Sequence, residues 1–280
     1  MASMSTEKPS PAILCVAPNG ARKTLRDHPD LPMTPAELGR AAAESLEAGA
    51  AMVHLHVRDR NLAHILDAAA YRAAIRAIRS QVGDRLVIQV TTESCGLYGP
   101  EEQMGLVREL RPEAVSLSVG EIFSDTTVES AAAEFLDWLR AEGIFAQFIV
   151  FDADQVRFLV RLIHRGIVPH SDPCVLFVLG RHTPDQQSAP ADLDPLLEAS
   201  PFREGWFLCA FGKHELACVD RALAQGGHAR IGFENNLYRP DGTRAAGNAE
   251  LVGLAATRAR KRGRSPANAD HARELFAKLL

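Results

Sequence analysis

Two histidines stand one residue apart in an apolar stretch, AAMVHLHVRD at residues 50–59. If this stretch is a β-strand, His54 and His56 point to the same face, because side chains alternate along a strand. Two buried imidazoles cannot both be charged without a large penalty. A shared divalent cation removes that difficulty, and neutral imidazole is a common zinc ligand. A hydrogen-bonded pair of core histidines is the alternative, and the pair alone does not decide between them.

A third ligand is offered by the segment RIGFENN at residues 230–236, which closes another apolar run. On a strand Arg230, Gly232 and Glu234 share one face, and Glu234 lies at the end of the run. Two histidines and one carboxylate with an open position are typical of catalytic zinc sites. If the two runs meet in the fold, the sequence predicts a metal site formed by His54, His56 and Glu234.

Eight short apolar runs with β-propensity recur along the chain, and most are followed by a segment with helical character. The first helical segment has Thr34 as its cap, Pro35 at the first helical position and Glu37 three residues after the cap. The predicted strands are 12–17, 52–57, 86–92, 114–119, 145–151, 174–179, 205–211 and 228–233.

This alternation predicts parallel strands joined by right-handed crossovers, and eight such units predict an α/β fold, a single-domain (β/α)8 TIM barrel. We expect residues 1–11 to be a disordered lead-in and residues 12–280 to form the barrel with a C-terminal helix. An open doubly wound sheet is the alternative, but APNGAR after the first run is not a GxGxxG turn. In a closed barrel the second and eighth strands both flank the first. The three predicted ligands would then meet at the C-terminal mouth.

Composition excludes other classes of function. The formal net charge is -4, and RARKRGR is the one short basic run, which argues against a nucleic-acid partner. No run of 18 apolar residues is present, so we expect no membrane partner. The five cysteines are scattered without a CxxC pair, as is usual for free thiols in a reducing cytoplasm.

Four motifs together resemble the β-keto acid cleavage enzyme family: APNGA, HLHVRD, ARIGFENNLY and NAELV, in this order. The resemblance runs from about Ile13 to the final helix. It implies a (β/α)8 barrel with a divalent metal, usually zinc, held by His54, His56 and Glu234. It also implies condensation of a β-keto acid with acetyl-CoA to give acetoacetate and a new acyl-CoA, and a homotetramer.

The resemblance extends to further site residues. Arg230 would bind the substrate carboxylate or orient a base, although a structural ion pair in the barrel floor is the alternative. Polar residues at the strand mouths correspond to positions that contact the keto acid in the family. These substrate-binding candidates are Asn19, Thr91, Thr92, Ser116 and Ser118. For Asn19 a plain turn, Pro-Asn-Gly, is the alternative.

The chain departs from the family pattern where acidic residues are usual. Asn235 replaces the aspartate that acts with the arginine, and an amide cannot accept a proton. Arg22 stands where an acidic residue is usual, which makes it a candidate for recognising substrate charge. Two additional carboxylates, Glu93 and Glu121, follow strand ends, where a general base can act. The alternatives are that Glu93 caps the following loop and that Glu121 pairs with Arg22.

Two other functions remain open at this stage. A metal-dependent hydrolase would use the open coordination position for water, but such barrels usually add histidines at strands five and six. A non-catalytic metal or ligand binder fits the loss of acidic residues. The long polar loop at residues 179–194 would cover the site or contact CoA, unless it is a surface loop without a ligand.

Overall fold

The protein, described by a computed structural model over residues 9–279, is a closed barrel of eight parallel strands. Each strand pairs with the next along the chain, and the eighth pairs with the first through Cys15 and Arg230. The first eight residues of the predicted lead-in lie outside the described residues. Residues 9–11 are held against the barrel, because Arg264 Nε donates to Ser10 O at 2.8 Å. The predicted (β/α)8 barrel is therefore confirmed.

All eight predicted strands are present, although most are shorter than predicted. They are Leu14–Val16, Met52–Leu55, Val87–Thr91, Ala114–Ser118, Phe145–Val150, Cys174–Leu179, Phe207–Ala210 and His228–Ile231. Val57–Arg58 and His64–Ile65 form a separate antiparallel ladder just beyond the second strand.

Two strand ends differ from the sequence prediction at positions that matter for the site. The second strand ends at Leu55, because the His56 carbonyl accepts a hydrogen bond from Asn19 Nδ2 at 3.3 Å. The eighth strand ends at Ile231, because Gly232 adopts a φ of 140° that turns the chain. Consequently His56 and Glu234 lie on the segments that follow the strands, not on the strands themselves.

Helices surround the barrel, and the first of them has the Thr34 cap expected from the sequence. They are α1 Pro35–Ala48, α2 Ala68–Val82, α3 Pro100–Leu110, α4 Val119–Ile122, α5 Glu129–Ala141, α6 Ala153–His164, α7 Asp194–Ala199, α8 Glu215–Ala224, α9 Asn248–Lys261 and α10 Ala269–Leu279. At the start of α1, Glu37 N donates to Thr34 Oγ1, and Thr34 N donates to the Glu37 carboxylate. This reciprocal pair satisfies backbone donors that a helix start otherwise leaves free.

The two ends of the barrel are filled differently. At the N-terminal end α10 closes the barrel, and its Phe276 ring stacks on Phe145 with centroids 3.5 Å apart. The C-terminal end carries the charged and polar side chains of the site described below. Within residues 9–279, none of the helices combines the length and apolar character that crossing a membrane would require.

Candidate metal centre and active-site cavity

The predicted metal ligands come together at the C-terminal mouth. Ligand atoms of His54, His56 and Glu234 all lie within 4.8 Å of one another. The two imidazole Nε2 atoms are 3.2 Å apart. Glu234 Oε2 lies 3.4 Å from Nε2 of His56 and 3.6 Å from Nε2 of His54. Tetrahedral zinc with bonds of about 2.0–2.2 Å keeps its ligand atoms about 3.3–3.5 Å apart. The three observed spacings therefore fit one small divalent ion.

Hydrogen bonds on the far side of the ligands leave ligand atoms with free lone pairs that face the point between the three side chains. His54 Nδ1 donates to Gln89 Oε1 at 2.9 Å, since an amide oxygen can only accept, and this tautomer leaves Nε2 with a free lone pair. Glu234 Oε2 is buried and has no hydrogen-bond partner. A buried carboxylate oxygen without a partner is costly. A cation bound between the three side chains would remove that cost.

A chain of buried amides fixes the orientation of His54. Gln89 Nε2 donates to Gln147 Oε1 at 3.2 Å, and Gln147 Nε2 donates to Cys174 Sγ at 3.3 Å. Outer partners of this kind set the tautomer and the ring angle of a ligating imidazole. Gln147 therefore belongs to the support of the candidate metal centre.

Charge around the centre favours the ligand forms of these groups. Burial and the nearby Arg230 guanidinium lower the pKa of His54 well below its usual value, so the imidazole is neutral. Burial alone would raise the pKa of Glu234. The Arg230 guanidinium, whose Nη2 lies 3.0 Å from Glu234 Oε1, is the strongest opposing influence, and this pKa is held well below its usual value. Neutral imidazoles and an ionised carboxylate are the forms that bind a metal.

A cavity of about 280 Å³ opens directly above the metal centre. Its wall includes the three ligands and Arg230, so Arg230 faces the mouth and is not confined to the barrel floor. Apolar and aromatic side chains that lie on or just after the fifth, sixth and seventh strands form another part of the wall. They are Ile149, Phe151, Val178 and Phe211. This volume lies at the small end of ligand sites and suits a small organic acid better than a whole coenzyme.

The predicted substrate contacts divide into two groups. Thr91, Ser118 and Arg22 line the cavity, as do both carboxylates proposed as bases, Glu93 and Glu121. The lining thus contains side chains from the ends of several strands, as expected for a barrel of this type.

The remaining candidates lie behind the wall of this cavity. Thr92 Oγ1 donates to the Ser116 carbonyl at 3.0 Å, and the Ser116 hydroxyl is buried without a partner. Asn19 Nδ2 donates to the carbonyls of Pro32 and His56, so it shapes the first loop and the metal centre. Asn235 is buried, and its amide donates to Glu215 and to the Arg230 carbonyl. In the structure these four residues contact and support the residues around the cavity, and they do not line this cavity themselves.

The two carboxylates have different partners. Glu93 Oε1 lies 3.0 Å from Arg181 Nη2 and 3.7 Å from Arg22 Nη2, and Glu93 Oε2 lies 4.0 Å from His56 Nε2. Burial opposes ionisation of Glu93, but His56 and Arg181 outweigh it and lower its pKa.

Glu121 accepts hydrogen bonds from Ser94 N at 2.9 Å and Gln103 Nε2 at 2.7 Å, and it makes no ion pair with Arg22. Burial raises the pKa of Glu121 above its usual value, although both donors oppose the shift. Of the two carboxylates, Glu121 is the one without a cationic partner, which makes it the more basic.

Three charged residues of the site were not among the sequence predictions. Arg181 lines the cavity two residues beyond the sixth strand, and the strand-end rule would have indicated it. Lys23 Nζ donates to the Glu234 carbonyl at 2.6 Å. Glu215 is fully buried at the start of α8, and burial raises its pKa to about 8 despite hydrogen bonds from Asn235, Gly232 and Asn236. No local pattern marks a helix residue of this kind, because its partners lie on the eighth-strand turn.

Comparison with known proteins identifies relatives of this architecture. Solved structures of ObcA share the fold. The binary complex of ObcA with oxaloacetate superposes with a TM-score of 0.70 at 19% identity, over 89% of this chain and 67% of that chain. A type I 3-dehydroquinate dehydratase from Clostridium difficile gives a TM-score of 0.57 at 11% identity, covering 91% of this chain and 94% of the other. At these identities the likeness establishes the barrel alone.

Sequence relatives are more specific. A 3-keto-5-aminohexanoate cleavage enzyme of Fusobacterium nucleatum is 32% identical over 95% of this chain and 97% of its own length. A 3-oxoadipate:acetyl-CoA acetyltransferase of Cupriavidus necator is 28% identical over 95% and 94%. A 3-dehydrocarnitine:acetyl-CoA trimethylamine transferase of Rhizobium meliloti is 30% identical over 84% and 86%. The profile of the beta-keto acid cleavage enzyme family matches residues 11–277. The chain is therefore an enzyme that belongs to the beta-keto acid cleavage enzyme family.

Proposed function

We propose that this enzyme condenses a β-keto acid with acetyl-CoA, releasing acetoacetate and a new acyl-CoA, at a divalent metal of the zinc type. The observation that carries the proposal is the convergence of His54, His56 and Glu234 within 4.8 Å at the floor of a small cavity. Names of relatives that pair a keto acid with acetyl-CoA support the same reaction class.

Each side chain near the centre has a role in this proposal. A bound divalent ion supplies Lewis acidity, which stabilises negative charge on the oxygens of a keto acid. Arg230, buried and charged, attracts the substrate carboxylate and holds Glu234 in place. Thr91 and Ser118 line the same cavity and offer hydroxyl groups that orient the acid.

Glu121 is the proposed proton acceptor. Carbon–carbon bond formation requires removal of a proton next to a carbonyl group, and Asn235 has neither the chemistry nor the position for this step. Glu121 lines the cavity, has no cationic partner and has a raised pKa. These are the properties of a general base that works near neutral pH. Glu93, paired with Arg181, is the second candidate.

The side chain of the keto acid is proposed to be neutral or anionic. Arg22 and Arg181 both line the cavity, and one carboxylate, Glu93, lies between them. Arg230 is paired to Glu234 and Arg181 to Glu93, both at 3.0 Å, whereas Arg22 has only a 3.7 Å contact with Glu93 and is left to interact with the substrate tail. A cationic substrate tail would meet repulsion there.

Acetyl-CoA is proposed to enter along a groove that continues from the cavity. A second cavity shares Arg22, Arg181 and Phe211 with the first, and a third shares Lys23 and Gln186 with the second. The third cavity is lined by side-chain amides, which suit the amides of the pantetheine arm of CoA. It is also lined by the exposed Lys213, which suits the phosphates of CoA. Gln186 and Arg181 bring the polar loop at residues 179–194 into this path.

The decisive experiment incubates the purified enzyme with a pooled set of β-keto acids and acetyl-CoA, with and without added zinc. Mass spectrometry should detect a new acyl-CoA together with acetoacetate. A protein that consumes a keto acid without forming acyl-CoA would be a hydrolase, and one that binds metal but consumes nothing would be a binder. Either result contradicts the proposal.

The groove has its own test. Lys213→Ala should raise the KM for acetyl-CoA several-fold and leave the KM for the keto acid unchanged. An unchanged KM for acetyl-CoA would contradict this path. The homotetramer and the cytoplasmic location remain predictions from the sequence, and light scattering of the purified enzyme tests the first.

A further inference from the structure

Glu215 is a buried acid that lines none of the three cavities described above. It lies in the first turn of α8, with 1% of its surface exposed. Three donors point at its carboxyl group. Glu215 Oε1 accepts from Gly232 N at 3.2 Å and Asn235 Nδ2 at 3.1 Å, and Oε2 accepts from Asn236 Nδ2 at 3.2 Å. Glu215 therefore binds three residues of one short segment.

That segment is the turn that carries the metal ligand. Residues 232–236 leave the eighth strand, and Glu234 is at their centre. On its other side the turn is held by Ala17, because Glu234 N donates to the Ala17 carbonyl at 3.1 Å. Gly232 is required there, since a Cβ would come within 2.5 Å of that same carbonyl oxygen. The turn is thus fixed between the first strand and Glu215.

A buried hydrogen-bond chain also connects Glu215 with the charged groups of the mouth. Asn235 donates to Glu215 and accepts from Cys209 Sγ at 3.1 Å. Arg230 Nη2 lies 3.3 Å from Cys209 Sγ and 3.0 Å from Glu234 Oε1. Displacement of Asn235 would therefore disturb both residues that face the substrate and the metal.

We infer that Glu215 is a positioning residue of the metal centre, which sets the place of Glu234 and Arg230 by holding the turn at residues 232–236 from behind. It touches neither metal nor substrate. Residues that orient ligands in this way typically change metal affinity by about 10–100-fold when they are altered. Only the turnover measurement below rests on the proposed function. Metal affinity is measured without turnover and does not depend on that function.

The test replaces the carboxyl group by an isosteric amide. In Glu215→Gln one oxygen becomes an NH2 group that faces at least one N–H donor, so the turn loses a bond and gains a repulsion. At pH 8.5, above the pKa of about 8 of Glu215, the dissociation constant for zinc from chelator competition should rise about 10–100-fold. The kcat should fall as well.

A matched control lies on the same helix. Asp220→Asn makes the same acid-to-amide change and breaks an ion pair with Arg262 at 2.7 Å, but far from the mouth. It should leave the zinc dissociation constant within about twofold of wild type. If Glu215→Gln lowers thermal stability while its zinc affinity matches that of Asp220→Asn, Glu215 is structural only and the inference is overturned.

A milder variant covers the case in which Glu215→Gln does not fold. Glu215→Asp keeps the carboxylate but shortens the side chain by one methylene, which lengthens its hydrogen bonds of 3.1–3.2 Å to the turn. Its zinc dissociation constant should exceed that of Asp220→Asn several-fold, and equal constants in these two variants overturn the inference. If wild type binds zinc but converts no keto acid, the proposed function fails while the affinity measurements still decide the role of Glu215.

Discussion

Buried histidines lie at both ends of this barrel, and the two ends give them different partners. At the N-terminal end His228 is 7% exposed, and its Nδ1 accepts a hydrogen bond from Ile13 N at 3.1 Å. Burial and the charge of Arg264 lower its pKa to about 3, so it is a neutral acceptor. At the C-terminal end His54 and His56 are 1% and 0% exposed and face each other and an unpartnered carboxylate oxygen.

The comparison shows that burial does not identify a functional histidine. Burial disfavours the charged imidazole of His228 and that of His54 alike. They differ in the groups that the ring nitrogens face. Nδ1 of His228 faces a backbone N–H, whereas Nε2 of both histidines at the mouth faces a carboxylate oxygen that has no hydrogen-bond partner. Variants at each end of the barrel test whether this difference in partners has the expected consequences.

The largest effect is expected from His56→Ala. It removes one of three ligands, so bound zinc should fall from about one ion per chain to a small fraction of that. His228→Gln, the matched variant at the other end, should keep its metal. Elemental analysis of both purified proteins measures the bound metal. Equal metal content in the two variants would contradict the assignment of the metal site to the C-terminal end.

Loss of the general base should have the next largest effect. Glu121→Gln keeps the shape of the side chain and removes its basicity, so kcat should fall by about 10²–10⁴-fold with zinc content unchanged. Glu93→Gln is the comparison, because Glu93 is engaged with Arg181. If Glu121→Gln keeps more than about a third of the wild-type kcat, the assignment moves to Glu93.

Acid should act on the N-terminal end through His228. Its folded-state pKa of about 3 lies below the usual 6.5, so the unfolded chain takes up a proton that the folded chain rejects. This contribution to stability is complete above pH 6.5 and is lost as the pH falls toward 3. Between pH 7 and 5 it amounts to about 2 kcal/mol.

His228→Gln should remove that part of the pH dependence. Urea unfolding at several pH values measures it, with wild type in parallel. An equal slope of unfolding free energy against pH in both proteins would mean that His228 takes up its proton in the folded state as readily as in the unfolded one.

The smallest effect concerns substrate charge. Arg22 is largely exposed, so its interaction with a charged tail is screened, and Arg22→Gln should lower kcat/KM for an anionic keto acid by about 10-fold or less. Activity toward a neutral keto acid should change little. Arg26→Gln, an exposed neighbour in the same loop, is the control. Wild-type preference for a cationic substrate would contradict the expected selectivity.

Much of the fold could be predicted because its signals are local. Apolar runs, the Thr34 cap and the alternation of strand and helix depend on residues close in sequence, and this cap is present as expected. The strand ends were predicted less well. Asn19 ends the second strand from 37 residues away by taking the His56 carbonyl, and no local pattern indicates that contact.

Within the site, residue types were predictable and their partners were not. Glu121 was considered a partner of Arg22, but it binds Ser94 and Gln103, and Glu93 has the contact with Arg22 instead. Loops after different strands converge at the mouth. The position of each loop along the barrel axis depends on how the barrel closes. The alternation of side chains along a strand predicts which face a residue is on. It does not predict which loop lies opposite that residue.

The sequence by itself determined the order of strands and helices, the family and the three metal-ligand types, because periodicity, caps and motifs are properties of short segments. Only the tertiary structure decided that the ligand atoms meet 3.2–3.6 Å apart, and that Glu215 supports them from behind. Those distances depend on a closed barrel that brings the second and eighth strands to either side of the first. Contacts between residues 180 positions apart are set by that closure and by the packing around it.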